Sequence, residues 1–172
     1  MQAAKDSFYM ALRERLAALN PGRVISVDGV ERPAMIVREN MEPQYAAAQS
    51  GAYFIDWGEV RIAESTRPVL GLDCHIWYAA EGSTQSGVDR GRMLAQMDEE
   101  LLSICAPPYT GMRDYQQSPS VDLGCGVFWT TPELRHTPEK GASARLERSA
   151  EAARLERWAT LRVYFFLPEV GA

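Results

Sequence analysis

Two histidines and three cysteines bound what this chain can do by proton transfer or nucleophilic attack. Asp73 and His75 stand two residues apart in a segment of alternating apolar residues. On a strand they share a face, which is the spacing of an acid–base pair. Cys125, between Gly124 and Gly126, is the thiol with the freest surroundings, and His136 is the nearest histidine in sequence. If the fold joined them they would form a Cys–His nucleophile. Each arrangement also has a plainer reading, which we prefer: a polar outer sheet face or a face meeting another subunit for Asp73 and His75, and a loop for Gly124-Cys125-Gly126.

Metal and phosphate chemistry finds less support. The histidines are far apart, no HxxxH, HExxH or CxxC occurs, and Cys74 and His75, being adjacent on a strand, leave opposite faces. Neither GxxxxGK[ST] nor GxGxxG is present, so no glycine-rich phosphate cradle is expected. The acidic run Asp98-Glu99-Glu100 sits inside a helical pattern and reads as a solvated face. Arg145, Arg148, Arg154 and Arg157 alternate with Glu147, Glu151 and Glu156, a mixture that favours intrahelical pairs or a subunit contact over a nucleic-acid stripe. No catalytic, cofactor-binding or metal-binding residue is assigned, and no enzyme is expected.

The elements that must position these residues come from a chain of 172 residues, a length suited to one domain. With 46% hydrophobic and 24% charged residues it has the composition of a globular protein rather than a disordered one. A net charge of -5 disfavours broad nucleic-acid binding, which depends on neutralising phosphates. No apolar run approaches the length needed to cross a bilayer, and Met1-Gln2-Ala3-Ala4-Lys5-Asp6 does not open a secretory signal. An odd number of cysteines without CxxC spacing reads as reduced thiols in a cytoplasmic setting.

Phe8, Leu12, Leu16 and Leu19 predict a helix over 6–19, capped by Asp6 or Ser7, with Arg13, Glu14 and Arg15 in solvent. Asp28-Gly29 between two apolar runs, 23–27 and 30–37, predicts a hairpin whose second strand lies at an edge because of Pro33. Strands are expected over 53–62, with Gly58 as a bulge or turn, and over 67–79, where Leu70, Leu72, Cys74, Ile76 and Tyr78 share a face. Leu94, Met97, Leu101 and Ile104 predict the longest helix, 88–105. Residues 106–126 read as irregular, Val127-Phe128-Trp129 as a short strand, 131–142 as a polar connection, and 143–156 as a charged helix. A last strand, 158–167, sets Leu161, Val163 and Phe165 on one face and Trp158, Arg162, Tyr164 and Phe166 on the other. These four are the candidate subunit-interface residues, since aromatics on a second face are covered either by a helix or by a neighbouring subunit. The expected fold is α+β, a mostly antiparallel sheet with helices packed on one face and an irregular insertion before the last strand, in a single domain 1–172 whose residues 106–157 form an insertion or arm.

This order of parts resembles the tail-terminator, or tail-completion, proteins of long-tailed bacteriophages and prophages. The resemblance rests on the short amphipathic helix Asp6-Ser7-Phe8-Tyr9-Met10-Ala11-Leu12, the run Pro33-Ala34-Met35-Ile36-Val37, the strand 69–79 leading through a polar loop into the helix 89–105, and the closing strand Leu161-Arg162-Val163-Tyr164-Phe165-Phe166. It covers layout rather than a diagnostic motif, and residues 106–157 exceed the family's usual connection. It implies a virion protein, assembled in the host cytoplasm, that forms a ring of its own copies, expected to be a hexamer. The ring would cap the tail tube, stop its polymerisation and join tail to head. Its partners would then be itself, the tail-tube protein and a head-completion or connector protein, with no membrane, no cofactor and no direct sequence-specific nucleic acid. The alternative is a small cytoplasmic enzyme or ligand-binding module using the Gly/Cys-rich region 106–136, for which a deep pocket lined by Tyr109, Tyr115 and Trp129 would speak.

Overall fold

The computed structural model describes residues 1–27, 29–40, 50–63, 69–81, 88–135 and 154–166. In chain order these form α1 (Gln2–Leu19), β1 (Val24–Val27), β2 (Val30–Pro33), β3 (Met35–Val37), a 3-10 turn (Arg38–Asn40), β4 (Tyr53–Ala63), β5 (Val69–Glu81), α2 (Val88–Ile104), β6 (Tyr109–Asp114), β7 (Val121–Trp129), β8 (Glu133–Arg135) and β9 (Arg154–Phe166). The architecture is mixed α/β, with two helices among the described residues and a curled sheet of mostly antiparallel strands. Seven strands run in the order β3-β4-β5-β9-β7-β6, with β8 also paired to β9, and β1 and β2 form a separate two-stranded sheet. Among the described strands, β3 and β4 form the parallel pair.

Helix α1 buries Phe8, Leu12 and Leu16 as its stripe predicts, but Leu19 is exposed. It begins at Gln2, four residues before the expected start, so neither Asp6 nor Ser7 caps it. Asp6 instead accepts a hydrogen bond from Gln2 (2.8 Å), one turn earlier, and Ser7 is buried. The hairpin forms, with Gly29 at φ 77, in the region that glycine adopts without strain; Asp28, the other half of its signal, lies outside the described residues. The run 30–37 is divided. After Pro33 the chain bends at Ala34, whose N–H donates to the Arg23 carbonyl (2.9 Å), and Met35–Val37 leaves the hairpin to join β4. Gly58 and Glu59 fall where the β4–β5 register shifts, between Trp57 and Val60, so the bulge expected at Gly58 is present.

The main core draws on both helices and on Ile55, Leu72, Cys74, Ile76, Tyr78, Leu161, Val163 and Phe165 from the sheet. Leu94, Met97, Leu101 and Ile104 of α2 are all buried in it. A second, smaller cluster on the other side of the sheet joins Phe54, Trp77 and Ala79 to Ile25, Ala34, Ile36 and Ala52. The β1–β2 hairpin therefore covers one end of that outer face.

Three expectations are corrected. Residues 106–126 are not irregular: β6 and most of β7 lie there, paired antiparallel. The alternation of β7 is interrupted by Gly124 and Gly126, and Gly126 has a physical role. A Cβ there would stand 2.6 Å from Tyr109 Cε2, so the missing side chain makes room for the facing ring. Within 131–142, Glu133–Arg135 is a strand paired with β9. The helix expected over 143–156 lies outside the described residues up to 153, and Arg154–Arg157 belong to β9. The thirteen consecutive pairings of β9 with β5, four of them at Arg154–Arg157, override the local helix propensity.

Candidate functional site

The outer face of the sheet is built by the even-numbered residues of β9. Ala159, Leu161, Val163 and Phe165 point into the core and are buried, whereas Trp158, Arg162 and Tyr164 are half-buried and Phe166 is exposed. Register then sets their neighbours. Phe54, Trp77, Trp158 and Arg135 lie side by side across β4, β5, β9 and β8. The rings of Phe54 and Trp77 are 5.0 Å apart, and the Arg38 guanidinium lies over Trp77. Trp158 packs against the small cluster, and its buried indole Nε1 finds no acceptor among the described residues.

The middle of this face is ionic. Arg162 Nε donates to Asp73 Oδ1 (2.8 Å), and Arg61 Nη2 lies 3.5 Å from Asp73 Oδ2. Hydrogen bonds with Asp73 and Tyr164 strengthen the hold of the Arg162 guanidinium on its proton. Arg61, Asp73, His75, Glu133, Arg162 and Tyr164 are among the residues around an open depression of about 500 Å³. Beyond it runs an aromatic row, Tyr164 beside Phe128 beside Tyr109, with the last two rings 5.0 Å apart. Trp158, Arg162, Tyr164 and Phe166 thus occupy one continuous surface that is covered by the hairpin at the Trp158 end and open at the Phe166 end.

Asp73 and His75 do share this face, but Asp73 directs its oxygens to two arginines and makes no hydrogen bond to the imidazole. His75 lies against the bulge instead, where a Cβ on Gly58 would be 3.3 Å from its Nε2. Cys125 is in strand β7 rather than a loop, and half-buried. Burial, aided by the charge of Asp122, raises its thiol pKa, the opposite direction from an activated nucleophile. His136 lies outside the described residues. Cys74 and Cys105 are free and buried; burial drives the thiol of Cys74 well up and that of Cys105 to about 12. Tyr109, Tyr115 and Trp129 do not share a pocket. Trp129 is in the core, donating Nε1–H to the Cys105 carbonyl (2.8 Å), Tyr109 is exposed, and Tyr115 lines a separate depression beside Arg15. No group of three or more His, Cys, Asp or Glu suited to a metal ion occurs among the described residues, and none of their helices is long and apolar enough to cross a membrane.

The acidic run is a correction. Asp98 and Glu100 are not a solvated face. Glu100 is buried and accepts hydrogen bonds from Arg23 (including Nη2, 3.0 Å), Asn20 (2.8 Å), the Tyr53 hydroxyl (3.0 Å) and Gln96 (3.1 Å). Burial alone would raise its carboxyl, but the bonds from Arg23, Asn20 and Tyr53 and the Arg23 charge outweigh it and hold the pKa below the ordinary value. Asp98 accepts from the Tyr78 hydroxyl (2.5 Å) and pairs with Arg157 (2.7 Å), so Arg157 makes a contact between elements rather than an intrahelical one. The signal for both was present. At about 100° per residue three consecutive helical positions fan out widely, and Asp98 and Glu100 flank the Leu94/Met97/Leu101/Ile104 stripe while only Glu99 opposes it. Arg15, expected in solvent, donates to the carbonyls of Ile104 (2.9 Å), Pro107 (2.8 Å) and Tyr109 (2.8 Å) and lies over the Trp129 ring.

No protein-family model matches the chain, and none of the curated proteins does. A solved structure similar to it is a chain of the virion of a native gene transfer agent particle, with 13% identity and a TM-score of 0.41 over 95% of this chain and 94% of that chain.

Proposed function

We propose that this chain is a structural assembly protein of the tail-terminator kind: a ring of identical subunits, six by the family's pattern, that caps a tail tube, ends its growth and joins it to the head. Its partners are copies of itself, the tube protein and a head-completion or connector protein, and its place is the tail–neck region of a virion. The observation that carries this reading is the two-sided last strand. One side of β9 is core. The other presents Trp158, Arg162, Tyr164 and Phe166 on a broad surface that ends in exposed aromatics. Folded monomers seldom leave such surfaces uncovered, and surfaces rich in aromatics and arginine suit contact between proteins. The chemistry of the sheet points the same way, since Asp73 on that face is spent on ion pairs, and the Cys125 thiol, on the core side of β7, is made less acidic, not more. Light scattering and electron microscopy of the purified chain, alone and with tail tubes, test the reading. Closed rings that seat on tube ends and fix tube length are expected. A chain that stays monomeric at high concentration and in the presence of tubes overturns it.

A further inference from the structure

The two ends of the seven-stranded sheet are finished differently. At the β6 end, helix α1 occupies the outward backbone groups: the Tyr109 carbonyl accepts from Arg15 (2.8 Å), and the Arg113 N–H donates to Ser7 Oγ (2.9 Å). Such groups, left bare, are a template for another chain's strand. At the opposite end β3 pairs with β4 only over Tyr53–Ile55. From Asp56 onward β4 has β5 on one side and no strand of the described residues on the other. The side chains along this bare edge are open to solvent: Glu59 is 80% exposed, Val60 45%, Arg61 59% and Ile62 72%.

We propose that this edge joins two copies of the chain, β4 adding antiparallel to β4 of a second copy about a two-fold axis at Val60. Glu59 and Arg61 lie 3.3 Å apart within one chain, and because both are exposed the same two charges can also pair across copies, which selects both the occupant and the register. An axis at Val60 sets Val60 opposite Val60 and Glu59 opposite Arg61 twice, with Gly58 lying inside the bulge beyond the regular pairing. Moving the axis one residue either way places Arg61 opposite Arg61, or Glu59 opposite Glu59. Opposite charges across paired strands are stabilising and like charges destabilising. A two-fold contact must be self-complementary, and this short sequence is. The bulge at Gly58–Glu59 limits how far pairing extends toward Trp57, which keeps the contact short and its formation dependent on concentration. This contact does not rest on the proposed ring, but Arg61 also pairs with Asp73 at the border of the outer face, so Glu59→Arg, which leaves that pair in place, is the variant that separates the two readings.

Sedimentation and light scattering of the full chain test it with Glu59→Arg, Arg61→Glu and an equimolar mixture of the two. Wild type is expected to double the mass of the unit it forms, single chain or ring, with rising concentration. Each variant alone sets like charges against each other and should weaken pairing at least tenfold, whereas the mixture restores opposite charges and should recover it. Both sites are exposed, and circular dichroism checks that the fold is kept. Val60→Cys in a Cys125→Ser background should form a symmetric disulfide, because facing strand residues stand about 4.5–5.5 Å apart at Cα, within disulfide reach. The exposed control Val30→Cys should not. A wild type that never pairs, variants that pair as tightly as wild type, or a mixture that fails to recover overturns the proposal. Rings that form equally in wild type and both variants, without pairing at Val60, overturn this edge contact while leaving the ring reading intact.

Discussion

At the scale of single residues, Glu100 is where the chain concentrates its buried charge. It and Arg23 have side chains only 7% and 9% exposed, so each ion depends on the other for solvation. Removing one partner of such a pair strands the other, which costs about 3–5 kcal/mol, even though replacing the whole pair by apolar residues can be neutral. Glu100→Gln keeps the shape but leaves the guanidinium of Arg23 without its counter-charge, and should lose about 3 kcal/mol at pH 7. The pH dependence has a definite sign. The folded-state pKa of Glu100 lies below the ordinary 4.5, so its stabilisation is complete above pH 4.5 and disappears as pH falls through the depressed folded value. Glutamine does not titrate. Urea unfolding should therefore show the gap between wild type and Glu100→Gln narrowing below pH 4.5; a gap of equal size at pH 7 and pH 3 would show that the carboxylate charge is not what stabilises this site.

Among the elements, the attachment of α1 to β6 depends on Ser7 as well as on Arg15. Ser7 is buried; its hydroxyl donates to the Ala3 carbonyl (2.7 Å) and accepts from the Arg113 N–H (2.9 Å). Ser7→Ala leaves that N–H buried and unpartnered, at a cost of about 1–3 kcal/mol. Hydrogen exchange should show the Arg113 amide speeding up far more than the amides of β5, which lie in the sheet interior; uniform acceleration would mean general loosening instead. Leu101→Ala tests α2 in the same way. Leu101 is fully buried in the main core, and the cavity should cost about 2–5 kcal/mol in thermal or denaturant unfolding. What could be read from the sequence follows the same division. Elements whose apolar residues repeat cleanly were legible: α2 from its four-residue stripe, β5 from Leu72, Cys74, Ile76 and Tyr78, and the hairpin from Asp28-Gly29. Elements made by tertiary pairing were not. β6 and β7 have glycines where alternation would show, and Arg154–Arg157 have helical propensity that β5 overrides. The outer-face residues Trp158, Arg162, Tyr164 and Phe166 were legible because period two alone places them. Their ionic neighbours Arg61 and Glu133 were not, because register between distant strands is not written in either strand.

For the whole molecule, the question is which surface would carry the proposed assembly, and stability separates the possibilities. Phe166 is an exposed end of the outer face, and Phe128 is exposed in the row beside Tyr164. Substituting exposed residues away from buried networks usually changes monomer stability by about 0.5 kcal/mol or less. A surface buried between subunits behaves differently, since a charge placed at its centre must be desolvated without a partner, and one such change can remove most of the binding. Phe128→Asp and Phe166→Asp should therefore leave the unfolding midpoint of the isolated chain nearly unchanged while abolishing rings and the arrest of tube growth. Glu99→Lys, on the exposed side of α2 opposite its buried stripe, should affect neither. If the two aspartate variants assemble as wild type does, the outer face is not the contact, and the open aromatic end of β9 must be explained by some other partner. If they unfold instead, the face is part of the monomer's own stability, and the exposure of Phe128 and Phe166 understates their packing. Only retained stability together with lost assembly supports the ring through this face.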